Sequence, residues 1–209
     1  PGTQRRARRP CARRAAPRVR TGFASSGVVL QLDEAAEDVA LGDDADDAER
    51  LESLRVRAWR EAYPGLVEQH VLDALDENDP TSVLVWKNLI ERIAMRVAVA
   101  ENEGGDAIGF CAVAGETRDG DEPKGVAEII ALYVDPEHYR EGVGRELVEA
   151  VTEVARESAK NLSQLTVWTL DRNHRALALY ESLGFKRDGA ERTDEYWKCP
   201  DVRLRLALR

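Results

Sequence analysis

The sequence predicts an α/β fold with a mixed sheet, and three observations support this class. Short apolar runs typical of strands are separated by longer segments with the apolar spacing of helices. In the second half the two kinds alternate as strand, helix, strand, helix, strand. The run 126–134 (VAEIIALYV) is almost entirely apolar, as expected of a central strand that is covered on both faces.

The N-terminal half is predicted to contain one strand and three helices. The strand is either 28–32 or 36–41. The first helix begins at the acidic residues 43–47, which favour a helix N-terminus, and ends at Pro64-Gly65. A second helix covers about 66–75, and a third begins at Pro80. The third helix is predicted to bury one face, formed by Val83, Leu84, Trp86, Leu89, Ile90 and Ile93.

The C-terminal half contains the remaining strands and two helices. Two strands joined by a glycine turn form a hairpin, at 96–101 and 107–114. The central strand 126–134 follows, and Gly184 ends the second helix as a C-cap residue. The other predicted elements are a helix at 143–158, a strand at 165–170, a helix at 175–183 and final strands within 185–188, 195–198 and 202–208.

The first 22 residues differ from the rest in charge. They contain eight arginines and no acidic residue, so the net charge of −9 leaves −17 for the remainder of the 209 residues. Because this segment has little apolar surface to bury, we expect residues 1–25 to be a disordered extension and 26–209 a single domain. Such a tail binds nucleic acid in some proteins and resembles a transit peptide in others, but an extension without function is the simplest reading.

Composition argues against several other classes of protein. No run of about 18 apolar residues is present, which excludes a membrane-spanning helix and predicts no membrane partner. The three cysteines and three histidines are scattered without zinc-site spacing. We therefore expect no disulfide framework, no metal and a reducing, cytoplasmic setting.

The turn after the central strand has the composition of an anion-binding site. Gly142-Val143-Gly144 opens a helix, and backbone N–H groups at a helix N-terminus attract phosphate. Glycine lets the backbone approach a ligand closely, and Arg140 and Arg145 add positive charge. The two glycines alone do not distinguish this turn from an ordinary strand-to-helix turn. The spacing of a P-loop or of a dinucleotide-binding fingerprint is incomplete.

A second motif, farther along the chain, indicates which kind of protein this turn belongs to. After strand 165–170, the chain matches the pattern N-x-x-A-x-x-x-Y-x-x-x-G-F in full, with Asn173, Ala176, Tyr180, Gly184 and Phe185. With Gly142 and Gly144 as the glycines of Q/R-x-x-G-x-G/A, the sequence resembles the GNAT superfamily of N-acetyltransferases over roughly residues 36–200. Segment 57–65 (RAWREAYPG) is similar to the start of that family's substrate-side helices. One position departs from the pattern, because Tyr139 stands where the family has Gln or Arg.

The resemblance implies a GNAT fold, in which a mixed central sheet with two splayed parallel strands is flanked by helices. Acetyl-CoA is then the cosubstrate, bound in the cleft between those strands, with no metal. The strand end would pair with the pantetheine arm and the turn would bind the pyrophosphate. The residues implied in this binding are Leu132, Tyr133, Val134, Tyr139, Arg140, Glu141, Gly142, Val143, Gly144, Arg145, Asn173 and Tyr180.

The resemblance also implies an N-acetyltransferase in which a primary amine attacks the thioester directly. A lysine-like amine has a pKa near 10.4, so a base must remove its proton, and the leaving thiolate gains from a proton donor. Tyr180 is the expected donor, and either Glu128 or an ordered water is the expected base. Trp59 and Tyr63 are expected to bind the acceptor, a small molecule or a peptide or protein amine.

Two alternative functions remain open from the sequence. The Tyr139 departure allows a non-catalytic acyl-CoA-binding sensor. The arginine-rich tail allows nucleic-acid binding, although the acidic remainder makes this unlike a nucleic-acid-binding domain. The sequence does not give the oligomeric state, but members of the family that it resembles are often dimers. A homodimer is therefore possible, with the C-terminal strand 202–208 as its edge.

Overall fold

The computed structural model describes residues 18–23, 44–92, 95–120, 122–158, 162–193 and 198–208. Their helices and strands, in chain order, are β1 (Arg18–Phe23), α1 (Asp44–Ala62), α2 (Gln69–Asp73), α3 (Pro80–Arg92), β2 (Met95–Glu101), β3 (Ala107–Ala114), β4 (Val126–Val134), a 3-10 turn (Pro136–His138), α4 (Val143–Glu157), β5 (Gln164–Leu170), α5 (His174–Ser182), β6 (Lys186–Thr193) and β7 (Pro200–Ala207).

The strands of the described residues form one sheet in the order β1-β2-β3-β4-β5-β7-β6. Neighbouring strands are antiparallel except for β4 and β5, which are parallel. Helix α4 makes the crossover that a parallel pair requires. The predicted α/β class, with a mixed sheet and flanking helices, is confirmed.

Helices cover both faces of this sheet. The apolar side of α4, including Val143, Leu147 and Val151, packs in one core with residues of β4 and β5 such as Ile129 and Leu165. On the opposite face, α1 and α3 form a second core against β3, which contains Leu51, Leu54, Trp86, Phe110 and Ala112. Strand β4 is therefore covered on both sides, which explains its continuous apolar sequence.

A bulge in β4 changes which face its side chains occupy. Ala112 of β3 pairs with Ala131, whereas Val113 pairs with Ile129, so Ile130 is an additional residue in β4. Glu128 pairs with Ala114, and both Ala112 and Ala114 belong to the core under α1 and α3. The bulge thus puts Glu128 and Ala131 on the same face of the sheet.

The structure differs from the sequence prediction within the first 101 residues. Residues 18–23, predicted to be disordered, pair with β2 as an antiparallel edge strand. Helix α2 is shorter than predicted, because the turn at Pro64 continues through Val67, whose N–H bonds to the carbonyl of Tyr63. The two candidate first strands, 28–32 and 36–41, lie outside the described residues.

Two further predictions require correction. Leu84 of α3 is 57% exposed, so it does not belong to the buried face on which Trp86 lies. Strand β7 lies between β5 and β6, so residues 202–208 do not form the predicted sheet edge. Strand β6 is longer than predicted because it pairs with β7 as far as Thr193, and most of the predicted strand 195–198 lies outside the described residues.

Candidate active site

Strands β4 and β5 separate partway along their length. Their ladder joins Val126–Ile129 to Gln164–Val167 and goes no further among the described residues. Beyond it, β4 continues to pair with β3, and β5 continues to pair with β7. The edge of β4 that faces β5 at Leu132, Tyr133 and Val134 therefore has backbone groups available to an extended ligand that carries amides.

A turn with free backbone donors lies at the end of this gap. Arg140 has φ 65° and Gly142 has φ 95°, both left-handed. The backbone N–H groups of Arg140 and of residues 142–144 have no hydrogen-bond partner among the residues that the structure describes. These groups include the first N–H groups of α4, whose helix dipole also favours negative charge. The arrangement is suited to a phosphate or diphosphate.

Close packing fixes the position of this turn. A Cβ atom on Gly109 would lie 3.0 Å from side-chain atoms of Leu147 and Val143, so glycine at this position lets α4 approach β3. A Cβ atom on Gly144 would lie 3.3 Å from Leu179. The two glycines thus bring the N-terminus of α4 against the sheet and against α5.

Asp135 anchors the segment that leads from β4 into the turn. Its carboxylate accepts a hydrogen bond from the N–H of Glu137 at 3.0 Å. Arg57 of α1 donates to the other carboxylate oxygen at 2.8 Å. Arg57 therefore neutralises a negative charge that would otherwise lie close to the turn at residues 140–144, a role that the sequence did not reveal.

Tyr139, at the position that departs from the family pattern, contacts Arg175 of α5. The guanidinium carbon lies 4.3 Å from the centre of the Tyr139 ring, which is a cation–π contact. Burial raises the pKa of the Tyr139 hydroxyl, and the charge of Arg175 opposes this rise. Sequence reasoning missed Arg175, since no local signal shows which side chain meets Tyr139.

Tyr180 is buried on α5, where its ring packs 5.4 Å from that of Phe185. Burial raises its pKa well above the ordinary value, and nearby Cys111, Tyr63 and Tyr133 raise it further. The hydroxyl therefore stays protonated near neutral pH, as a proton donor must. Asn173, the other polar residue of this motif, caps α5 by accepting a hydrogen bond from the N–H of Ala176 at 3.2 Å.

Aromatic residues predicted at the acceptor side lie near Tyr180. The rings of Trp59 and Tyr63, at the end of α1, meet edge to face with centroids 4.6 Å apart. Burial raises the pKa of Tyr63 strongly. Tyr133, which the sequence placed only among the cofactor contacts, also lies close enough to Tyr180 to affect its pKa. The fold thus brings Trp59, Tyr63 and Tyr180 into one region, while their part in acceptor binding stays a prediction.

Glu128 is only 1% exposed, and its carboxylate accepts hydrogen bonds from the loop between β3 and β4. One oxygen accepts from Nη2 of Arg118 at 2.6 Å. The other accepts from the backbone N–H of Arg118 at 2.9 Å and from the hydroxyl of Thr117 at 3.2 Å. The hydrogen bond to Glu128 is the main reason that the pKa of Arg118 is raised. The sequence did not predict this pair.

A network of charged residues fastens the same loop to β5 and β7. Asp119 accepts from the indole N–H of Trp168 at 2.9 Å and from Arg203 at 2.8 Å. Glu122 forms ion pairs with Arg203 at 2.8 Å and with Arg205 at 2.6 Å. These contacts fasten Asp119 and Glu122 to β5 and β7, beside the residues that bind Glu128.

Comparison with known proteins agrees with this geometry. The acetyltransferase (GNAT) family matches residues 48–185. The chain belongs to this family. An uncharacterized N-acetyltransferase of Archaeoglobus fulgidus is 33% identical over 132 residues, which are 63% of this chain and 84% of that protein. The peptidyl-lysine N-acetyltransferase YjaB of Escherichia coli is 32% identical over 109 residues, which are 52% of this chain and 61% of YjaB.

Solved structures of GNAT proteins confirm the fold. PaiA N-acetyltransferase from Thermoplasma acidophilum, in complex with coenzyme A, has a TM-score of 0.58 at 17% identity, covering 78% of this chain and 94% of that one. YncA from Salmonella typhimurium, with acetyl-CoA, has a TM-score of 0.59 at 19% identity, covering 81% of this chain and 92% of YncA.

The comparisons confirm the prediction of an N-acetyltransferase of the GNAT superfamily, with the acceptor unspecified. Among the described residues, no group of three or more His, Cys, Asp or Glu side chains could hold a metal ion. Nor does any helix in the described part of the chain have the length and apolar character needed to cross a membrane.

Proposed function

We propose that this GNAT protein transfers the acetyl group of acetyl-CoA to a primary amine of a small molecule, peptide or protein by direct attack on the thioester. The separation of β4 from β5 beside the N–H groups of Arg140 and residues 142–144 carries this proposal. An open strand edge next to an anion site matches a ligand whose amide-containing arm ends in a diphosphate. The homodimer and the cytoplasmic location expected from the sequence are kept as proposals.

Backbone groups would provide most of the binding. The free edge at Leu132, Tyr133 and Val134 would pair with the amides of the pantetheine arm. The N–H groups of residues 140–144 would bind the diphosphate, with added positive charge from the exposed side chains of Arg140 and Arg145. Both contacts use the backbone, so the Tyr139 departure leaves them intact.

The proposed reaction is a single transfer. The amine nitrogen forms a bond to the carbonyl carbon of the acetyl group, and the bond from that carbon to sulfur breaks. The amine loses a proton, and the departing thiolate takes one. Tyr180 is proposed to donate the proton to sulfur, because its hydroxyl is protonated at neutral pH and it lies near Tyr133 of the open strand edge.

Water is proposed to remove the proton from the amine, the second of the two routes that the sequence left open. Glu128 accepts hydrogen bonds from Arg118 and Thr117 on both carboxylate oxygens and is 1% exposed. To act as the base it would have to break an ion pair at 2.6 Å. We therefore propose that Glu128 anchors the loop, and its role as the base is tested below.

The acceptor is proposed to carry positive charge. The remainder of the chain after the arginine-rich tail has a net charge of −17, which attracts cations over long range. The relative YjaB is named for peptidyl-lysine, which is one such acceptor. Trp59 and Tyr63, near Tyr180, are proposed to form the wall of the acceptor site.

Thermal unfolding of the full chain tests the cosubstrate. We expect acetyl-CoA and CoA, but not ATP, to raise the midpoint, because a ligand that binds only the folded state stabilises it. Release of free thiol is then measured with a panel of small amines, peptide N-termini and lysine peptides. Thiol release with one of these classes would support the enzyme and identify its acceptor.

Other outcomes separate the alternatives. A shift of the midpoint without thiol release from any acceptor would favour the non-catalytic sensor. No shift with either CoA species would overturn the proposal. Salt-dependent binding of nucleic acid that is lost on removal of residues 1–17 would show a separate function of the arginine-rich segment.

A further inference from the structure

One face of α5 contacts the turn at residues 139–145 at three positions. Arg175, Leu179 and Ser182 are spaced three or four residues apart, so they lie on the same side of the helix. Arg175 lies over the Tyr139 ring at 4.3 Å, and Leu179 lies against Gly144. Ser182 accepts a hydrogen bond from Arg145 at 2.8 Å.

The first of these contacts acts where the backbone is under strain. Arg140, the residue after Tyr139, has a left-handed φ of 65°, a conformation that costs a non-glycine residue free energy unless its surroundings hold it. Arg140 itself is exposed. Contacts hold the residues on both sides of it: Tyr139 meets Arg175 of α5, and the Glu141 carboxylate lies 3.0 Å from Nδ1 of His138 within the turn itself.

We infer that Arg175 is a positioning residue for the acyl donor. By holding the Tyr139 ring, it keeps Arg140 left-handed and directs the N–H groups of residues 140–144 toward one anion. The anion is the diphosphate of an acyl-CoA, so this inference rests on the proposed function. The contact is required for the diphosphate and not for the acetyl-pantetheine part of the donor.

Tyr180 does not depend on the same contact, although it is on the same helix. Its ring is buried against Phe185, on a different side of α5 from Arg175. Loss of Arg175 should therefore weaken binding of the donor and leave the rate of transfer from bound donor unchanged. A general disturbance of α5 would instead change both.

The experiment compares Arg175→Ala and Arg175→Lys in the full chain, with Arg172→Ala as the matched control. Arg172 is an exposed arginine in the turn before α5, so its removal changes the net charge equally. We expect Arg175→Ala to raise the KM for acetyl-CoA and the Kd for CoA about tenfold, equal to about 1.4 kcal/mol, with kcat within about twofold. Arg175→Lys should be intermediate, because it keeps a cation over the ring, and Arg172→Ala should equal the unchanged protein.

S-acetylpantetheine, which lacks the diphosphate, is the second probe. Its kcat/KM should be the same for the unchanged protein and for Arg175→Ala. Tyr139→Ala should reproduce the tenfold effect, and the double variant should add little to either single change, because the two side chains act through one contact. Tyr139→Phe, which keeps the ring, should bind CoA more tightly than Tyr139→Ala.

Several results would overturn the inference. They are an unchanged Kd for CoA in Arg175→Ala, an equal loss with S-acetylpantetheine, and additive effects in the double variant. Binding of CoA by the unchanged protein keeps these results separate from the proposed function. If the unchanged protein fails to bind CoA, the proposed function and this inference both fail.

Discussion

The turn at residues 139–144 and the surroundings of Glu128 lie at opposite ends of β4, and they differ in how their hydrogen-bonding groups are used. The turn leaves the N–H groups of Arg140 and residues 142–144 without partners among the described residues. The Glu128 carboxylate, in contrast, accepts hydrogen bonds on both oxygens from Arg118 and Thr117. Both regions contain residues that the family resemblance marks as functional.

The backbone donors of the turn are therefore open to a ligand, whereas the Glu128 carboxylate is already paired within the chain. A buried carboxylate that is paired and hydrogen-bonded is explained by the structure itself, and removal of its partner leaves an uncompensated charge. The same motif-based argument therefore has a different outcome at the two ends of one strand.

The largest expected effect is on proton donation beside the turn. Tyr180→Phe should lower kcat about 100-fold, because the thiolate then leaves without a proton from the enzyme. The Kd for CoA should stay within about twofold, since the ring and its packing on Phe185 are kept. Steady-state kinetics and calorimetry measure the two quantities. A kcat within about threefold of the unchanged protein would remove Tyr180 from the mechanism.

The Glu128 region is tested by two variants of one ion pair. Arg118→Gln should lower the free energy of unfolding by about 2–3 kcal/mol, because it leaves a buried carboxylate without its counter-ion. Glu128→Gln should cost less, about 1 kcal/mol, since the Arg118 side chain is 62% exposed and can be hydrated. Urea unfolding measures both values.

The same pair of variants decides whether Glu128 is the base. If Glu128 only anchors the loop, Glu128→Gln should keep kcat within about threefold and leave the pH profile of kcat/KM unchanged. A loss of about 100-fold with disappearance of the acidic limb, absent from Arg118→Gln, would restore Glu128 as the base. The comparison between the two ends of β4 would then fail.

Two glycines with a left-handed φ test whether the turn binds CoA. Gly142→Ala should weaken CoA binding about tenfold and cost about 1 kcal/mol of stability, because alanine is strained at φ 95°. Gly189 of β6 has φ 91° and open space around it. Gly189→Ala should therefore cost similar stability and leave the Kd for CoA unchanged. Equal Kd values for the two variants would argue against the turn as the diphosphate site.

The smallest expected effect concerns the buried tyrosines near the gap. Burial raises the pKa of Tyr63, Tyr133 and Tyr180. Above pH about 10 the unfolded chain releases these protons and the folded chain does not, so the free energy of unfolding falls as pH rises. Below that pH their contribution is fully present. For each tyrosine the loss at pH 10.5 is at most about 1 kcal/mol. Urea unfolding of Tyr180→Phe between pH 9 and 11 should show a weaker decline than the unchanged protein.

Local sequence patterns predicted the central part of the fold well. Strand 126–134 and the hairpin strand 107–114 are found with the predicted bounds, and α4 and β5 differ by one residue at an end. Apolar periodicity and glycine turns act within a few residues, so they can be read directly. The prediction failed where a strand forms only by pairing with a distant part of the chain. Strand β1 is the example, because its partner β2 is more than 70 residues away.

The sequence by itself determined the class of fold, the GNAT motifs and the residues that form the turn and the Tyr180 helix. These depend on local spacing and on glycine at positions where the backbone is left-handed or closely packed. The tertiary structure alone decided that Arg175 contacts Tyr139, that Arg57 neutralises Asp135, and that Arg118 forms an ion pair with Glu128. The residues of each pair are between 10 and 78 positions apart. Which charges and rings meet is set by how helices and loops pack on the sheet, and that packing is a property of the whole chain.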